Sequence, residues 1–87
     1  MPEISRFFGI VIKMFIADHS PPHFHAEYSG HKATFDIKTQ ELIEGDIPNK
    51  QRKLIEAWAI IHVKELMKNF DNLTSANPSW DKIEPLK

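Results

Sequence analysis

The feature of this sequence that most constrains its fold is a pair of extended runs, His23–Tyr28 and His31–Ile37, separated by Ser29 and Gly30. Two such runs joined by two residues that include a glycine are typical of a tight β-hairpin. A two-residue turn also sets the register, because it places the last residue of the first run opposite the first residue of the second. The sequence therefore predicts a hairpin with a defined pairing.

The predicted register separates the side chains of the hairpin by polarity. Successive side chains point to opposite faces of a strand, and in this register the apolar ones share one face while the polar ones share the other. A shift by one residue would mix the two sets, which supports the pairing. The apolar face carries Phe24, Ala26, Tyr28, Ala33, Phe35 and Ile37, and the polar face carries His23, His25, Glu27, Lys32, Thr34 and Asp36.

Three further segments of the first half predict strands. Ile4–Phe7 and Ile10–Ile16 are rich in β-branched and aromatic residues, which favour extended structure. Ile10–Ile16 is apolar on both faces apart from Lys13, a pattern typical of a central strand that is covered on each side. Glu41–Ile43 is a candidate for one more short strand.

One long amphipathic helix is predicted over residues 48–70, a stretch that contains no glycine or proline after Pro48. Asn49 is expected to be its N-cap. Lys53, Lys64 and Lys68 lie opposite the apolar stripe and are expected to form a solvated face. The stripe consists of Leu54, Ile55, Trp58, Ala59, Val63, Leu66 and Phe70.

The length of 87 residues indicates a single domain, residues 1–87, of the α+β class. The predicted architecture is a small antiparallel sheet of about four strands (1–45), followed by the helix (48–70) packed on the face that carries Phe24. A tail over residues 72–87 is expected to dock through Trp80, Ile83 and Leu86. The aromatic residues predicted to lie in the core are Trp58, Trp80, Phe7 and Phe8.

Composition excludes several classes of function. The formal net charge of −1 lacks the excess of lysine and arginine that nucleic-acid binding requires, so a nucleic-acid partner is not expected. The chain has no cysteine, which excludes disulfides and thiolate metal sites. Neither a secretory leader nor an apolar run long enough for a membrane is visible, so no membrane partner and a cytoplasmic location are expected.

The chemical focus of the sequence is its histidine-rich run. His23 and His25 are two residues apart on a predicted strand, so their imidazoles project to the same side with α-carbons ~6.6 Å apart. This spacing lets both rings converge on one metal ion, with His19 and Asp18 as further ligands. Asp36, opposite His23, can ligate as well or can orient that ring. Two histidines and a carboxylate suit a divalent metal such as zinc, manganese or iron.

Two other interpretations of these residues stay open. The first is that they are polar side chains on the solvent face of an ordinary hairpin. The second is catalysis without a metal, in which His23 paired with Asp36 is a general base and His25 or His19 is the acid. The chain offers no glycine-rich loop to bind an anion for that chemistry. His62 lies inside the predicted helix and is expected to be a packed histidine on the side of the sheet opposite to His23 and His25.

Several motifs of the chain together resemble a known family. The most distinctive is Pro21-Pro-His-Phe-His25, and the others are Phe8-Gly-Ile-Val-Ile12, Asp18-His19, Ala26-Glu-Tyr28, Ala33-Thr-Phe-Asp36, Leu42-Ile-Glu-Gly45, Trp58, His62, Glu65-Leu66 and Lys82-Ile-Glu-Pro-Leu86. On these residues the chain is similar to the domain-of-unknown-function 4160 family of small bacterial proteins over nearly its full length. It departs from the family around Phe70, where the family has a tryptophan, which affects local packing.

The resemblance implies a partner and leaves the chemistry open. Family members are often encoded beside a second small protein and are grouped with toxin–antitoxin-like pairs. The first hypothesis is therefore a protein-interaction module, one member of a two-protein toxin–antitoxin-like or regulatory unit, whose second apolar sheet face binds that small protein or another copy of the chain. The alternative is a small metal-dependent or His/Asp acid–base hydrolase, such as a nuclease, centred on residues 18–25.

Overall fold

The chain forms one antiparallel sheet with two helices against one of its faces, which confirms the predicted α+β class. The computed structural model describes residues 2–16, 19 and 21–87. The elements are β1 (Glu3–Phe7), β2 (Ile10–Lys13), β3 (His23–Tyr28), β4 (His31–Asp36), β5 (Leu42–Gly45), α1 (Asn49–Ile61) and α2 (Val63–Leu73). In the described residues the sheet thus has five strands, where the sequence predicted about four.

The five strands follow one another across the sheet in chain order, β1-β2-β3-β4-β5, and each pairs with the next in antiparallel fashion. The predicted register of β3 and β4 is confirmed at all six pairs, from His23 opposite Asp36 to Tyr28 opposite His31. Short connections produce this order, because an antiparallel pair needs only a tight turn.

β1 covers the predicted segment Ile4–Phe7, and the fifth strand is β5, near the candidate short strand Glu41–Ile43. β1 pairs with β2 through a tight turn at Phe8 and Gly9, and Phe7 lies opposite Ile10. β2 ends at Lys13 rather than continuing to Ile16 as predicted. β2 is an interior strand, between β1 and β3, as its apolar character indicated.

The core lies between the helices and the sheet face that carries Phe24, as predicted. Phe24 and Phe35 stack with ring centroids 5.4 Å apart. The indole of Trp58 in α1 meets the Phe24 ring edge-on at 5.9 Å and lies 5.4 Å from the ring of Phe7. Burying an aromatic side chain of this size stabilises the fold by about 1.5–3 kcal/mol, so this cluster joins α1 firmly to three strands.

The single helix predicted for residues 48–70 is wrong, because the chain forms two helices that meet at His62. The φ and ψ angles of His62 are −113° and 24°, outside the helical range. Its N–H is shared between the carbonyls of Trp58 (3.2 Å) and Ala59 (3.1 Å), so the turn tightens there. β-branched residues, Ile61 and Val63, flank the break and favour the helix less than unbranched ones.

Both ends of the predicted helix also differ from the structure. Pro48 occupies the N-cap position with an extended ψ of 142°, and no side chain caps the helix. Asn49 is therefore the first helical residue and not the N-cap. At the other end α2 continues past Phe70 to Leu73, and the N–H of Thr74 then donates to the carbonyl of Phe70.

The tail is held against the core by two buried side chains. The amide of Asn69 donates to the carbonyl of Asp81 (2.8 Å) and its oxygen accepts the N–H of the same residue (2.9 Å). The indole N–H of Trp58 donates to the carbonyl of Glu84 (2.8 Å). Ile83 is buried, and its N–H donates to a backbone carbonyl of the edge strand β1. These bonds cover part of an edge that would otherwise be open for pairing with another chain.

The aromatic residues predicted for the core divide into two groups. Trp58 and Phe7 are buried, but Phe8 is 58 % exposed and Trp80 is 44 % exposed. Phe8 occupies the β1–β2 turn, outside the paired part of the two strands. Neither helix in the described part of the chain is long and apolar enough to cross a membrane.

The second face of the sheet, here called the open face, has no helix or further strand lying across it in the described residues, although Phe70 of α2 reaches His23. Cover on each side of β2 was expected, but Val11 and Lys13 remain half-buried there. The helices are too few to pack on both sides of five strands. The side chains of the open face are Val11, Lys13, His23, His25, Glu27, Lys32, Thr34, Asp36 and Glu44.

Candidate functional site

The two histidines of β3 project from the open face, as the hairpin register predicted. The strand starts at His23, directly after two prolines that cannot donate to a ladder. The ring centroids of His23 and His25 are 5.1 Å apart and the rings are inclined at 81°. Both side chains are half-buried. The structure therefore holds two imidazoles next to each other on a rigid strand.

Hydrogen bonds orient both imidazole rings through their Nδ1 atoms. Nδ1 of His23 lies 2.7 Å from the carbonyl oxygen of Pro21. A carbonyl only accepts, so this nitrogen carries the proton and Nε2 holds the lone pair in the neutral ring. Nδ1 of His25 lies 3.2 Å from Oγ1 of Thr34, which can donate or accept. Partners of this kind fix the orientation of histidine ligands in metal sites.

Two phenylalanines flank the pair of histidines. The ring of Phe15 meets His25 edge-on at 4.3 Å, and the ring of Phe70 from α2 lies 5.9 Å from His23. The four rings thus run in the order Phe70, His23, His25, Phe15. The sequence did not predict that either phenylalanine lies beside the histidines, because both contacts join the hairpin to residues outside it. Their apolar rings restrict the movement of the imidazoles.

A row of polar side chains crosses the open face through His25. The pairings place Glu3 opposite Lys13, Lys13 opposite His25, His25 opposite Thr34, and Thr34 opposite Glu44. Thr34 was identified from the sequence as the partner opposite His25. Glu44 was not, since the register of β5 depends on an irregularity between Thr34 and the next residue.

Two adjoining depressions lie along this row. The first has a volume of about 320 Å³ and the second of about 370 Å³. They share His25, Thr34 and Glu44, so they form one shallow trough on the open face. The first is also lined by His19, Pro21, His23 and Ile43, and the second by Phe15, Ala26, Glu27, Lys32, Ala33 and Gly45.

Asp36 lies opposite His23, as predicted, but its carboxylate also serves the turn that follows β4. Oδ1 of Asp36 accepts the backbone N–H groups of Lys38 (2.7 Å) and Thr39 (2.9 Å). An aspartate in this position stabilises a turn by substituting for a backbone acceptor. The role of Asp36 as a catalytic or ligating partner of His23 stays a prediction.

The other candidate ligands precede β3. His19 is exposed and lines the first depression together with His23 and His25. Asp18 lies outside the described residues. Among the residues that are described, no group of three or more histidine, aspartate and glutamate side chains stands in a geometry that could hold a metal ion. Any ion bound by the described histidines would therefore depend on further ligands.

His62 lies on the helix side of the sheet, away from the open face. Its ring packs against the indole of Trp58 at a centroid distance of 5.4 Å. Nδ1 of His62 lies 2.6 Å from Oε1 of Glu65. This is the packed histidine with a satisfied nitrogen that the sequence indicated, and its structural position is the break between the two helices.

Charged side chains of both signs share the open face. Nζ of Lys13 lies 3.1 Å from Oε2 of Glu27. At the edge strand, the guanidinium of Arg6 donates to the carboxylate of Glu3 at 2.8 and 3.3 Å. These hydrogen bonds hold the pKa of Glu3 below its ordinary value of 4.5, and the positive charge of Arg6 adds to the effect. The charged side chains that the described residues place on the open face are two lysines (Lys13, Lys32) and three carboxylates (Glu27, Asp36, Glu44), so negative charge exceeds positive by one.

The fold and the site define a class: a small α+β protein with a meander sheet that is covered on one face and presents a pair of histidines on the other. The family described as "Domain of unknown function (DUF4160)" matches residues 9–71, more than half of the chain. The chain belongs to this family, as its motifs indicated. No curated protein and no solved structure matches the chain.

Proposed function

We propose that this protein is an interaction module, one member of a two-protein regulatory or toxin–antitoxin-like unit in the cytoplasm, which binds a small second protein through the open face. The observation that carries the proposal is the one-sided cover of the sheet. α1 and α2 pack on the face of Phe24, whereas the opposite face, which α2 reaches through Phe70 at His23, keeps half-buried and exposed side chains around a shallow trough.

The composition of the open face favours a protein partner over a nucleic acid. Val11 of the open face and Phe15, which lines its trough, are half-buried, and Ile43, which also lines the trough, is 49 % exposed. Apolar side chains are therefore presented at this surface. Protein interfaces combine such apolar groups with a polar rim. Lys13 is neutralised by Glu27, which leaves no track of positive charge for phosphates. The family resemblance supports a small protein encoded nearby as the partner.

The test is to mix the purified chain with the product of the adjacent gene and to measure the complex by native mass spectrometry. Val11→Arg and Ile43→Arg place a charge on the open face and are expected to weaken binding at least about tenfold. Asn77→Arg, exposed after α2, is the matched control and should bind as the unmodified chain does. A strictly monomeric chain that binds no such product, or open-face variants that bind like the control, would overturn the proposal.

The histidine pair supports a second candidate, a small metal-dependent hydrolase. Zinc binds a histidine nitrogen at about 2.0–2.1 Å, and the ring centre lies roughly 1.1 Å beyond that nitrogen. Two imidazoles on one tetrahedral ion therefore have centroids about 5 Å apart. The separation of 5.1 Å between His23 and His25 agrees with this value. The hydrogen bond from Nδ1 of His23 to a carbonyl points to Nε2 as the ligating atom of that ring, whereas the hydroxyl of Thr34 is compatible with either tautomer of His25.

Elemental mass spectrometry tests the second candidate. The chain, made without a histidine tag, is incubated with zinc, manganese or iron and freed of unbound metal. Near-stoichiometric metal is expected, and His23→Ala and His25→Ala should remove it. His31→Ala is the matched control, because His31 lies at the far end of the hairpin. Absence of bound metal, or an equal loss in the control, would eliminate the metal-dependent form and leave only acid–base chemistry with Asp36.

A further inference from the structure

The outward side of α1 exposes two large apolar side chains. Ile60 is 63 % exposed and Ile61 is 66 % exposed. Leu54, Ala57 and Ile61 follow the spacing i, i+3, i+7, which places them along one side of the helix. Isolated exposed apolar residues are ordinary, but a contiguous group on one helix face marks a binding surface more often. The buried side of the same helix is formed by Ile55, Trp58 and Ala59.

The apolar surface continues from α1 onto the β1–β2 turn. Phe8, Tyr28 and Leu54, together with Lys50 and Gln51, line a groove of about 490 Å³. Leu54 is half-buried against the core and also lines the groove, so it links the groove to the exposed isoleucines of α1. This surface, here called the apolar strip, consists of Phe8, Tyr28, Leu54, Ala57, Ile60 and Ile61. It lies on the helix side of the sheet and is separate from the open face.

Phe8 gives an independent indication that the apolar strip has a role in binding. Its φ angle is 47°, in the left-handed region, and Gly9 follows with a φ of 78°. Two-residue hairpin turns of this kind strongly prefer Asn-Gly or Asp-Gly, and a bulky residue with positive φ is an outlier. The ring is nevertheless 58 % exposed. Ser29 has nearly the same φ, 46°, in the β3–β4 turn, so the turn requires this conformation but does not require a bulky aromatic residue in it. Such strain is common at functional sites.

The charge around the apolar strip is positive. Lys50 and Lys53 lie exposed on the first turns of α1, and Lys64 lies exposed at the start of α2. None of the three forms an ion pair with another residue in the described part of the chain, whereas nearby Glu56 is bonded to Arg52. The second nearby carboxylate is that of Glu65, which is bonded to His62. An apolar centre with a cationic rim is complementary to an apolar stripe with anionic flanks.

We propose that the apolar strip binds an acidic amphipathic helix of another protein. Helices bind grooves of this kind through apolar residues spaced i, i+3 or i+4, and i+7. Such a helix would place its apolar residues on Ile60, Ile61 and Leu54 and its carboxylates next to the three lysines. The proposal goes beyond the open face and names a second surface with a different chemistry.

A second copy of this chain does not fit the same surface. Lysines lie at both ends of the strip, Lys53 before the isoleucines and Lys64 after them. Two copies that met through Ile60 and Ile61 would bring their lysines together in either orientation, and like charges across an interface oppose binding. The complementarity therefore selects a different, acidic partner.

The experiment uses two synthetic helical peptides with the same leucine stripe, one flanked by glutamates and the other by lysines. Fluorescence anisotropy with the full chain is expected to show saturable binding of the glutamate peptide that weakens with added salt. The lysine peptide should bind at least about tenfold more weakly. Lys53→Glu combined with Lys64→Glu should reverse this preference. Lys38→Glu, exposed in the turn after β4, is the matched charge control.

Two further variants separate binding from folding. Ile61→Ser should weaken binding of the glutamate peptide at least about tenfold. It should leave the urea midpoint unchanged, since the side chain of Ile61 is largely exposed. Phe8→Asn should raise the urea midpoint, because asparagine tolerates positive φ, and should weaken peptide binding at the same time. If Phe8 had a purely structural role, its replacement would not raise stability and weaken peptide binding at the same time. Val11→Arg on the open face should leave peptide binding unchanged.

Three results would overturn the proposal. The first is no binding of the glutamate peptide, and the second is equal binding of both peptides. The third is a dimer in sedimentation that Ile61→Ser dissociates, since the strip would then be covered by a second copy. Each of these leaves the open-face proposal intact, because that proposal is tested by different variants and a different partner.

Discussion

Replacing Gly45 with alanine tests how β5 is placed against the rest of the sheet. Gly45 ends β5 with a φ angle of 79°, and a Cβ atom there would collide with the carbonyl oxygen of Lys32 and lie 3.1 Å from Cα of Ala33. Both obstacles are backbone atoms of the neighbouring strand, which cannot rotate away. Gly30 in the hairpin turn has a similar φ of 85°, but a Cβ atom there would meet nothing within 4 Å.

Comparing the two glycine substitutions separates the energetic cost of a left-handed backbone from the energetic cost of a steric collision. An alanine with left-handed φ costs about 1–2 kcal/mol, partly offset by about 0.4–1 kcal/mol from the less flexible unfolded chain. Gly30→Ala should therefore destabilise the fold by about 1 kcal/mol. Gly45→Ala adds a collision of the kind that costs about 1–3 kcal/mol in packed regions, for a total of about 2–4 kcal/mol. An 87-residue chain has a total stability of roughly 4–13 kcal/mol, so the second loss is severe.

Urea unfolding followed by far-ultraviolet circular dichroism measures both variants against the unmodified chain. An unchanged slope with urea would show that the difference lies in stability and not in the compactness of either state. A loss for Gly45→Ala within about 0.5 kcal/mol of the loss for Gly30→Ala would refute the reasoning, because only the collision distinguishes the two sites. It would also mean that β5, and with it Glu44 in the trough, is not held as described.

Three further outcomes are expected. Arg6→Ala should raise the pKa of Glu3 toward 4.5, which carboxyl NMR measures. Because that pKa is lowered in the folded chain, the contribution of Glu3 to stability is present above the ordinary pKa. It is lost as the pH falls through the lowered value. An unchanged pKa would contradict the assignment. Asn69→Leu removes two hydrogen bonds to the tail. It should destabilise the fold by about 2–3 kcal/mol and speed hydrogen exchange at the Asp81 amide. Unaltered exchange would argue against the tail contact. Nitrogen NMR above pH 8 should show the proton of His23 on Nδ1, and a proton on Nε2 instead would exclude the bond to the carbonyl.

The hairpin could be predicted in detail because its information is local. Alternation along His23–Tyr28, a two-residue turn and the polarity of the next run leave one register that separates the faces. The same register places Thr34 opposite His25 and Asp36 opposite His23, and the structure has these pairings. The placement of the histidine pair on a shared face follows from strand geometry alone.

The helical region was predicted less well, because the apolar periodicity favours one continuous helix whereas the contacts around His62 favour a break. The apolar stripe continues through His62, so periodicity alone indicates one helix. The break at His62 depends on how its N–H is shared between Trp58 and Ala59, and on the fixed position of Trp58 against Phe24. Helix propensities differ by only about 0.7 kcal/mol among ordinary residues, so tertiary contacts can override them.

The sequence by itself determined the α+β class, the strand pairing of the hairpin, its polar and apolar faces and the family. Only the tertiary structure decided that Phe70 and Phe15 flank the histidines, and that Phe8 and the isoleucines of α1 remain outside the core. The physical reason is that alternation and turn length act between residues close in the chain. Contacts between a strand and a distant helix depend on how whole elements pack, which no short pattern encodes.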